Sequence, residues 1–193
     1  MAASILDIYL TGVGGQGILT IAELITRAAM SKGLTANFFP TKGMAQRGGF
    51  VKAQLKLGHQ EIGPDIRPGG ADLVISTELC ESLKALRYLK KGGDFIVFGY
   101  KWLPTEVMLG KAEYPTVEQV KEEVAKVGGH FSYLAPENMP QGLADNIYLL
   151  AAAQKHTCLG QMFTAAELKE AILSRWPKGA QRNTESFAAG LQT

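Results

Sequence analysis

Four of the six residues from Gly12 to Gly17 (GVGGQG) are glycine, and they separate two very different patterns. Upstream, residues 4–10 (SILDIYL) are apolar and rich in strand formers, as a buried central strand is. Downstream, residues 18–32 set Leu19, Ala22, Leu24, Ile25, Ala28 and Ala29 on one helical face. Gly33 follows, where glycine adopts a left-handed cap without strain. Residues 35–40 read as a second strand, so the chain opens with a β–loop–α–β unit.

The same alternation continues. Phe50–Leu57 places Val51, Ala53, Leu55 and Leu57 against Lys52, Gln54 and Lys56, a strand with one wet face that is expected near a sheet edge. Residues 58–70, rich in Gly and Pro, predict a loop. A buried strand over 73–76, a helix over 81–89 and another strand over 95–98 follow. Thr116 and Gln119 have capping-box spacing for a helix to residue 127, and 131–134 reads as a last strand. The remainder is predicted helical: 145–159, then 165–174 capped by Thr164 with Glu167 three residues on, then 185–191. Strands alternating with helices imply parallel pairing through right-handed crossovers. The expectation is an α/β, Rossmann-like three-layer domain with a mostly parallel sheet and a helical C-terminal portion. No internal repeat or linker divides residues 1–193, which read as one domain.

Composition narrows the class of partner. With 46% hydrophobic residues the chain can bury a core without disulfides or metal. A net charge of +2 gives no general electrostatic case for nucleic acid or an anionic membrane. Cys80 and Cys158 show no metal or cluster spacing and suit a reducing cytoplasm. No secretory leader is expected at residues 1–11, and nowhere do ~18 apolar residues run together.

Gly12, Gly14 and Gly17 satisfy GxGxxG between a strand and a helix, where backbone N–H groups can approach a phosphate at a helix N-terminus. The same glycines also suit a bare strand-to-helix turn. A dinucleotide would call for an acid at the end of the second strand, to hold the ribose hydroxyls. Residues 37–42 (NFFPTK) hold none, which argues against NAD. Lys42 and Arg47 suit a ligand with an extra ribose phosphate, as in NADP or coenzyme A, unless they are solvated surface charges.

A second glycine-punctuated segment, residues 41–49 (TKGMAQRGG), follows that strand. Ligands of open α/β sheets collect beyond the carboxyl ends of strands, so both segments are expected to face one crevice. Gly48 and Gly49 permit close approach, Arg47 offers a planar fork for phosphate or carboxylate, and Met44 can pack on ligand or partner. A crossover loop with an incidental Arg is the plainer alternative.

GVGGQG after the first strand, GMAQRGG after the second, and a strand such as FVKAQLKLG together resemble the gamma subunit of 2-oxoacid:acceptor oxidoreductases. The GMAQRGG form is most similar to the indolepyruvate, or aryl-2-oxoacid, branch. Pro64-Asp-Ile, Asp72-Leu-Val-Ile and residues 183–190 resemble further landmarks, while 102–129 matches none. The resemblance implies a pyruvate/ketoisovalerate oxidoreductase gamma-type catalytic domain. It works within a complex that oxidatively decarboxylates indolepyruvate, another aryl 2-oxoacid, 2-oxoglutarate or pyruvate to acyl-CoA. Thiamine diphosphate, Mg and iron–sulfur clusters are then held by partner subunits, and ferredoxin is met only indirectly. This chain contributes to the coenzyme A side of the cleft. Gly12, Gly14, Gly15, Gln16 and Gly17 occupy the family's first loop; Lys42, Gly43, Met44, Gln46, Arg47, Gly48 and Gly49 fall in its second.

The residues expected to be absent from such a subunit fit that division. No thiamine signature, cysteine cluster or GxSxG elbow occurs, and His59, His130 and His156 lack metal-ligand spacing. No catalytic residue is assigned, and the isolated chain is expected to be inactive. Two alternatives remain open: a stand-alone NADP-type reductase and a nucleotide-binding module. Phe38, Phe39, Met44, Phe50 and residues 100–104 (YKWLP) are candidates for a docking face, with core packing equally suited to Phe38 and Phe98.

Overall fold

A computed structural model describes residues 5–42, 49–60, 63 and 65–193, Lys42 by its backbone alone. Its elements run β1 (Leu6–Val13), α1 (Ile18–Ser31), β2 (Ala36–Lys42), β3 (Phe50–Leu57), β4 (Ala71–Glu78), α2 (Leu79–Ala85) and β5 (Leu89–Tyr100). Then come α3 (Thr105–Met108), α4 (Val117–Val127), β6 (His130–Leu134), α5 (Asp145–His156), α6 (Leu159–Met162), α7 (Ala165–Arg175) and α8 (Gln181–Gly190).

The six strands form one sheet in the order β2-β3-β1-β4-β5-β6. β1, β4, β5 and β6 are parallel, and β3 runs antiparallel to both its neighbours, β1 and β2. Leu6, Ile8 and Leu10 of β1 join Leu55, Leu73 and Ile75 in a core shared with α1, α5, α7 and α8. On the opposite face Tyr9, Val74, Phe95 and Val97 pack with Leu79 and Ala85 of α2 and Val120 and Val124 of α4. This is the expected three-layer α/β arrangement, with β1 buried on both faces as its continuous apolar run predicts.

β3 lies near a sheet edge, as expected: it is second from it, wedged between the edge strand β2 and β1. Lys52 and Lys56 are half-exposed on the expected wet face, but Gln54 between them is buried, donating to Asp65 at 3.0 Å and accepting the Ile66 N–H at 2.7 Å. α2 packs over β1, β4 and β5, and α4 over β5 and β6. That layer covers the far side of the sheet and leaves β2 and β3 the wetter wing of the same face. The opening β–loop–α–β unit is therefore split, with an antiparallel strand between its two strands.

Other elements keep their identity and shift their bounds. The helix expected over 81–89 ends at Ala85, and a single 3-10 turn, Leu86–Tyr88, leads into a longer β5. Pairing with β4 skips from Ala71↔Leu89 to Leu73↔Asp94, a bulge that turns through Gly92 at φ +78. α5 stops at His156 because Thr157 is extended, and its hydroxyl donates back to the Ala153 carbonyl at 2.6 Å. α8 begins earlier than expected, and Arg182 pins it by donating to the carbonyls of Gly142 and Leu143 at 2.7 and 2.8 Å.

Candidate functional site at the carboxyl edge of the sheet

The connections out of β1 and β4 diverge. β1 leads through α1 on one face toward β2, whereas β4 leads through α2 on the other face toward β5. The carboxyl ends of these two adjacent parallel strands thus flank the topological switch point, where open α/β sheets form a ligand crevice. Gly12 and Val13 stand on one side of it and Thr77 and Glu78 on the other.

Gln16 holds this point together. Its side-chain Oε1 accepts the Val13 N–H at 2.9 Å and also the Thr77 hydroxyl, so one carboxamide closes the glycine turn and ties it to β4. Nε2 of Gln16 is buried without a partner among the described residues. Gly12 is required by this packing, since a Cβ there would lie 2.0 Å from Thr77 Oγ1 and 2.9 Å from Ile18 Cγ1. Gly17 is required twice over: its φ is +76, and a Cβ would lie 2.4 Å from Nδ2 of Asn146 at the start of α5.

The two glycine segments meet. The Gly14 N–H donates to the Gly49 carbonyl at 2.8 Å, and Val51 stands opposite Gly12 on one side and Lys42 on the other. Lys42 is consequently two strand spacings from Gly12, about 10 Å. Gly43, Met44, Gln46, Arg47 and Gly48 lie outside the described residues. The split unit also changes the meaning of the missing ribose acid, for the strand next to β1 here is β3, whose first residues Phe50 and Val51 are apolar.

As a phosphate cradle the first loop is partly used up. The N–H groups of Val13, Gly14 and Gln16 are engaged by Gln16 Oε1, the Gly49 carbonyl and the Val13 carbonyl respectively. Gly15, exposed at φ +101 with open space where a Cβ would stand, is the point at which a ligand can come closest to the backbone. The N–H groups of Gly15, Gly17, Ile18 and Leu19 have no acceptor among the described residues, so what the loop still offers an anion is Gly15 and the N-terminus of α1.

Glu78 was not singled out from the sequence, and neither were Thr77, Tyr114 and Asn146. The Glu78 carboxylate is buried, caps α2 by accepting the Glu81 N–H at 2.8 Å, and accepts the Tyr114 hydroxyl. Burial, and next the bond to Glu78, hold the Tyr114 hydroxyl well above the ordinary tyrosine range. Burial, and next the Glu78 charge, push the Cys80 thiol up to about 11. The polar run Ser76-Thr77-Glu78 closing an apolar strand was the available signal for the first two; Tyr114 and Asn146 are remote in sequence and carried none.

Of the docking candidates, Phe38 packs against the core and Phe98 is buried, while Phe39 and Phe50 are half-buried. Tyr100, Trp102 and Leu103 are exposed, and Met44 is outside the described residues. His59 bonds Asp7 at 2.7 Å, and His156 meets the Thr193 hydroxyl at 2.9 Å. Among the described residues no three His, Cys, Asp or Glu side chains are placed to hold a metal, and no helix is long and apolar enough to cross a membrane.

The fold is thus a doubly wound α/β domain whose carboxyl edge, at the topological switch point, joins two glycine segments. Residues 7–193 match the family model described as pyruvate ferredoxin/flavodoxin oxidoreductase, and the chain belongs to that family. It is 33% identical over 192 residues to indolepyruvate oxidoreductase subunit IorB of Thermococcus kodakarensis, covering 96% of this chain and 94% of that protein. Its fold is similar to pyruvate oxidoreductase subunit PORC of Thermotoga maritima, with TM-score 0.71 at 15% identity, covering 97% and 96% of the two chains. It is also similar to part of a 2-oxoglutarate:ferredoxin oxidoreductase of Magnetococcus marinus solved with 2-oxoglutarate, coenzyme A and succinyl-CoA. There the TM-score is 0.61 at 19% identity, covering 96% of this chain and 30% of that one.

Proposed function

We propose that the chain is the gamma-type subunit of a cytoplasmic 2-oxoacid:ferredoxin oxidoreductase of the indolepyruvate, or aryl-2-oxoacid, branch. Its two glycine segments line the coenzyme A side of a cleft completed by partner subunits. Identity to indolepyruvate oxidoreductase subunits along nearly the whole chain supports the branch. The coenzyme A part rests on one observation above all, the Gly14–Gly49 bond that joins both segments at the switch point. The Magnetococcus enzyme, with coenzyme A in its solved structure, gives the ligand class.

In this reading thiamine diphosphate, Mg and the clusters belong to the partner subunits and supply decarboxylation and electron transfer. This chain's part is to bind and orient. Gln16 keeps the turn closed, Gly15 lets the ligand's chain pass close to the backbone, and Lys42 and Arg47 meet its phosphates.

The test is steady-state kinetics of the complex assembled with Arg47→Ala. Loss of a charge-assisted bond is expected to raise KM for coenzyme A roughly ten- to hundred-fold, with KM for the oxoacid and stability of the isolated chain little changed. Unchanged coenzyme A kinetics removes Arg47 from the site. Turnover of NADPH by the isolated chain would replace the reading with a stand-alone reductase.

A further inference from the structure

The segment from Tyr100 to Thr116 carries α3 across the open end of the helix layer formed by α2 and α4. Between them lies a groove of about 710 Å³ with an apolar floor that includes Leu83, Leu86, Pro104 and Val107. Next in sequence to the lining residues Pro104 and Val107, the side chains of Leu103, Met108 and Leu109 are exposed, the last two 64% and 63%. Exposed large apolar side chains grouped in this way mark a surface made to be covered. Their spread beyond the groove calls for a polypeptide rather than a small molecule.

Charge around the groove selects the kind of polypeptide. Lys84, the cation at the rim, is held by Glu81 at 2.7 Å, and Glu123 is matched by Lys126 at 2.5 Å. Glu106 and Glu113 complete the rim, both exposed and without an ion pair among the described residues. Among the residues that line the groove, the charges left without an ion pair are thus both negative, although Lys101 and Lys111 stand exposed on the same segment. The surface is also held in place beforehand: Tyr114 donates to buried Glu78, which anchors the segment that follows α3.

We propose that this groove is a docking site for a segment of a partner subunit of the oxidoreductase, one that seats bulky apolar side chains on the floor and sets Lys or Arg against Glu106 and Glu113. The inference rests on the proposed function, since it takes the occupant from the same complex. It adds where that complex meets this chain and with what chemistry.

The experiment uses the chain co-purified with its partner subunits, and compares hydrogen exchange over residues 104–123 in the complex and in the free chain. Protection of that segment is expected on assembly. The double variant Glu106→Lys/Glu113→Lys is expected to weaken association about tenfold or more at low salt, and less at high salt, because exposed charges are screened. Both side chains are exposed, so folding is left intact, and urea unfolding of the variant checks this. A complex that forms with the segment unprotected, or that the double variant joins as wild type does, overturns the proposal while leaving the proposed function standing. Self-association of the free chain that the double variant abolishes makes a second copy the occupant and also overturns it. Failure of the chain to join any oxidoreductase subunit overturns both.

Discussion

Gly14 donates its backbone N–H to the carbonyl oxygen of Gly49 at 2.8 Å, across the carboxyl edge of the sheet. The first glycine turn and the entry to β3 therefore move as one piece, and the turn is ordered by contacts within the chain, before any ligand arrives. Gln16 gives the other half of that order, through Val13 and Thr77.

Gln16→Ala leaves the Val13 N–H without its acceptor and the Thr77 hydroxyl without its partner. The expected cost is about 1–3 kcal/mol in urea unfolding, and Gln16→Glu, which keeps the acceptor, is expected to lose less. Equal stability of wild type and Gln16→Ala contradicts the latch.

Gly12→Ala forces a methyl against Thr77 Oγ1 and is expected to destabilise by about 1–3 kcal/mol. Removing the obstacle with Thr77→Ala in the same chain is expected to recover part of that loss. A double-mutant cycle reads the coupling, and strictly additive effects would show that the two residues do not collide.

Tyr114 makes stability sensitive to alkali. An exposed tyrosine ionises near ~10, but burial and the bond to Glu78 keep this hydroxyl protonated at higher pH in the folded chain. Above ~10 the folded state then holds more protons than the unfolded one, so stability falls as pH rises and is full below that value. Tyr114→Phe is expected to cost about 1–3 kcal/mol at neutral pH by stripping a donor from buried Glu78, and to flatten the decline measured between pH 9 and 11. A decline of the same steepness in both proteins assigns the alkaline sensitivity elsewhere.

Both thiols are expected to resist modification. Burial is the main cause that pushes Cys80 up to about 11 and Cys158 up to about 12, with Asp94 the next contributor at Cys158. At pH 8 roughly one Cys80 in a thousand is the reactive thiolate. Titration with a disulfide reagent is expected to be slow in the native chain and complete in urea; a rapid native reaction shows that one site is open.

Local pattern made much of this molecule legible. β1, α1 and the Thr116 and Thr164 capping boxes were written in spacings of two, three and four residues, and all are present. Sheet order is not a local property, and the antiparallel strand that splits the opening unit was not foreseen. Lys52 and Lys56 signalled a partly wet face near the sheet edge, and that face is the β2–β3 wing that α2 and α4 leave open. At the crevice the glycines announced themselves because a turn needs them. Thr77 reads as the polar end of a strand until β1 is laid beside it, and Glu78 gains its partner from Tyr114, 36 positions on. Such partners are set by the crossover, which no window of sequence contains.

The place of β1 has a further consequence during synthesis. β1 is third in the sheet, and both of its neighbours, Phe50–Leu57 and Ala71–Glu78, follow it in the chain. At ~5–20 residues per second, both of its long sides stay bare for seconds while those neighbours are being made. A nascent chain carrying so apolar a ribbon is a natural client for chaperones, and truncation before Glu78 is expected to yield aggregate rather than a smaller soluble fold.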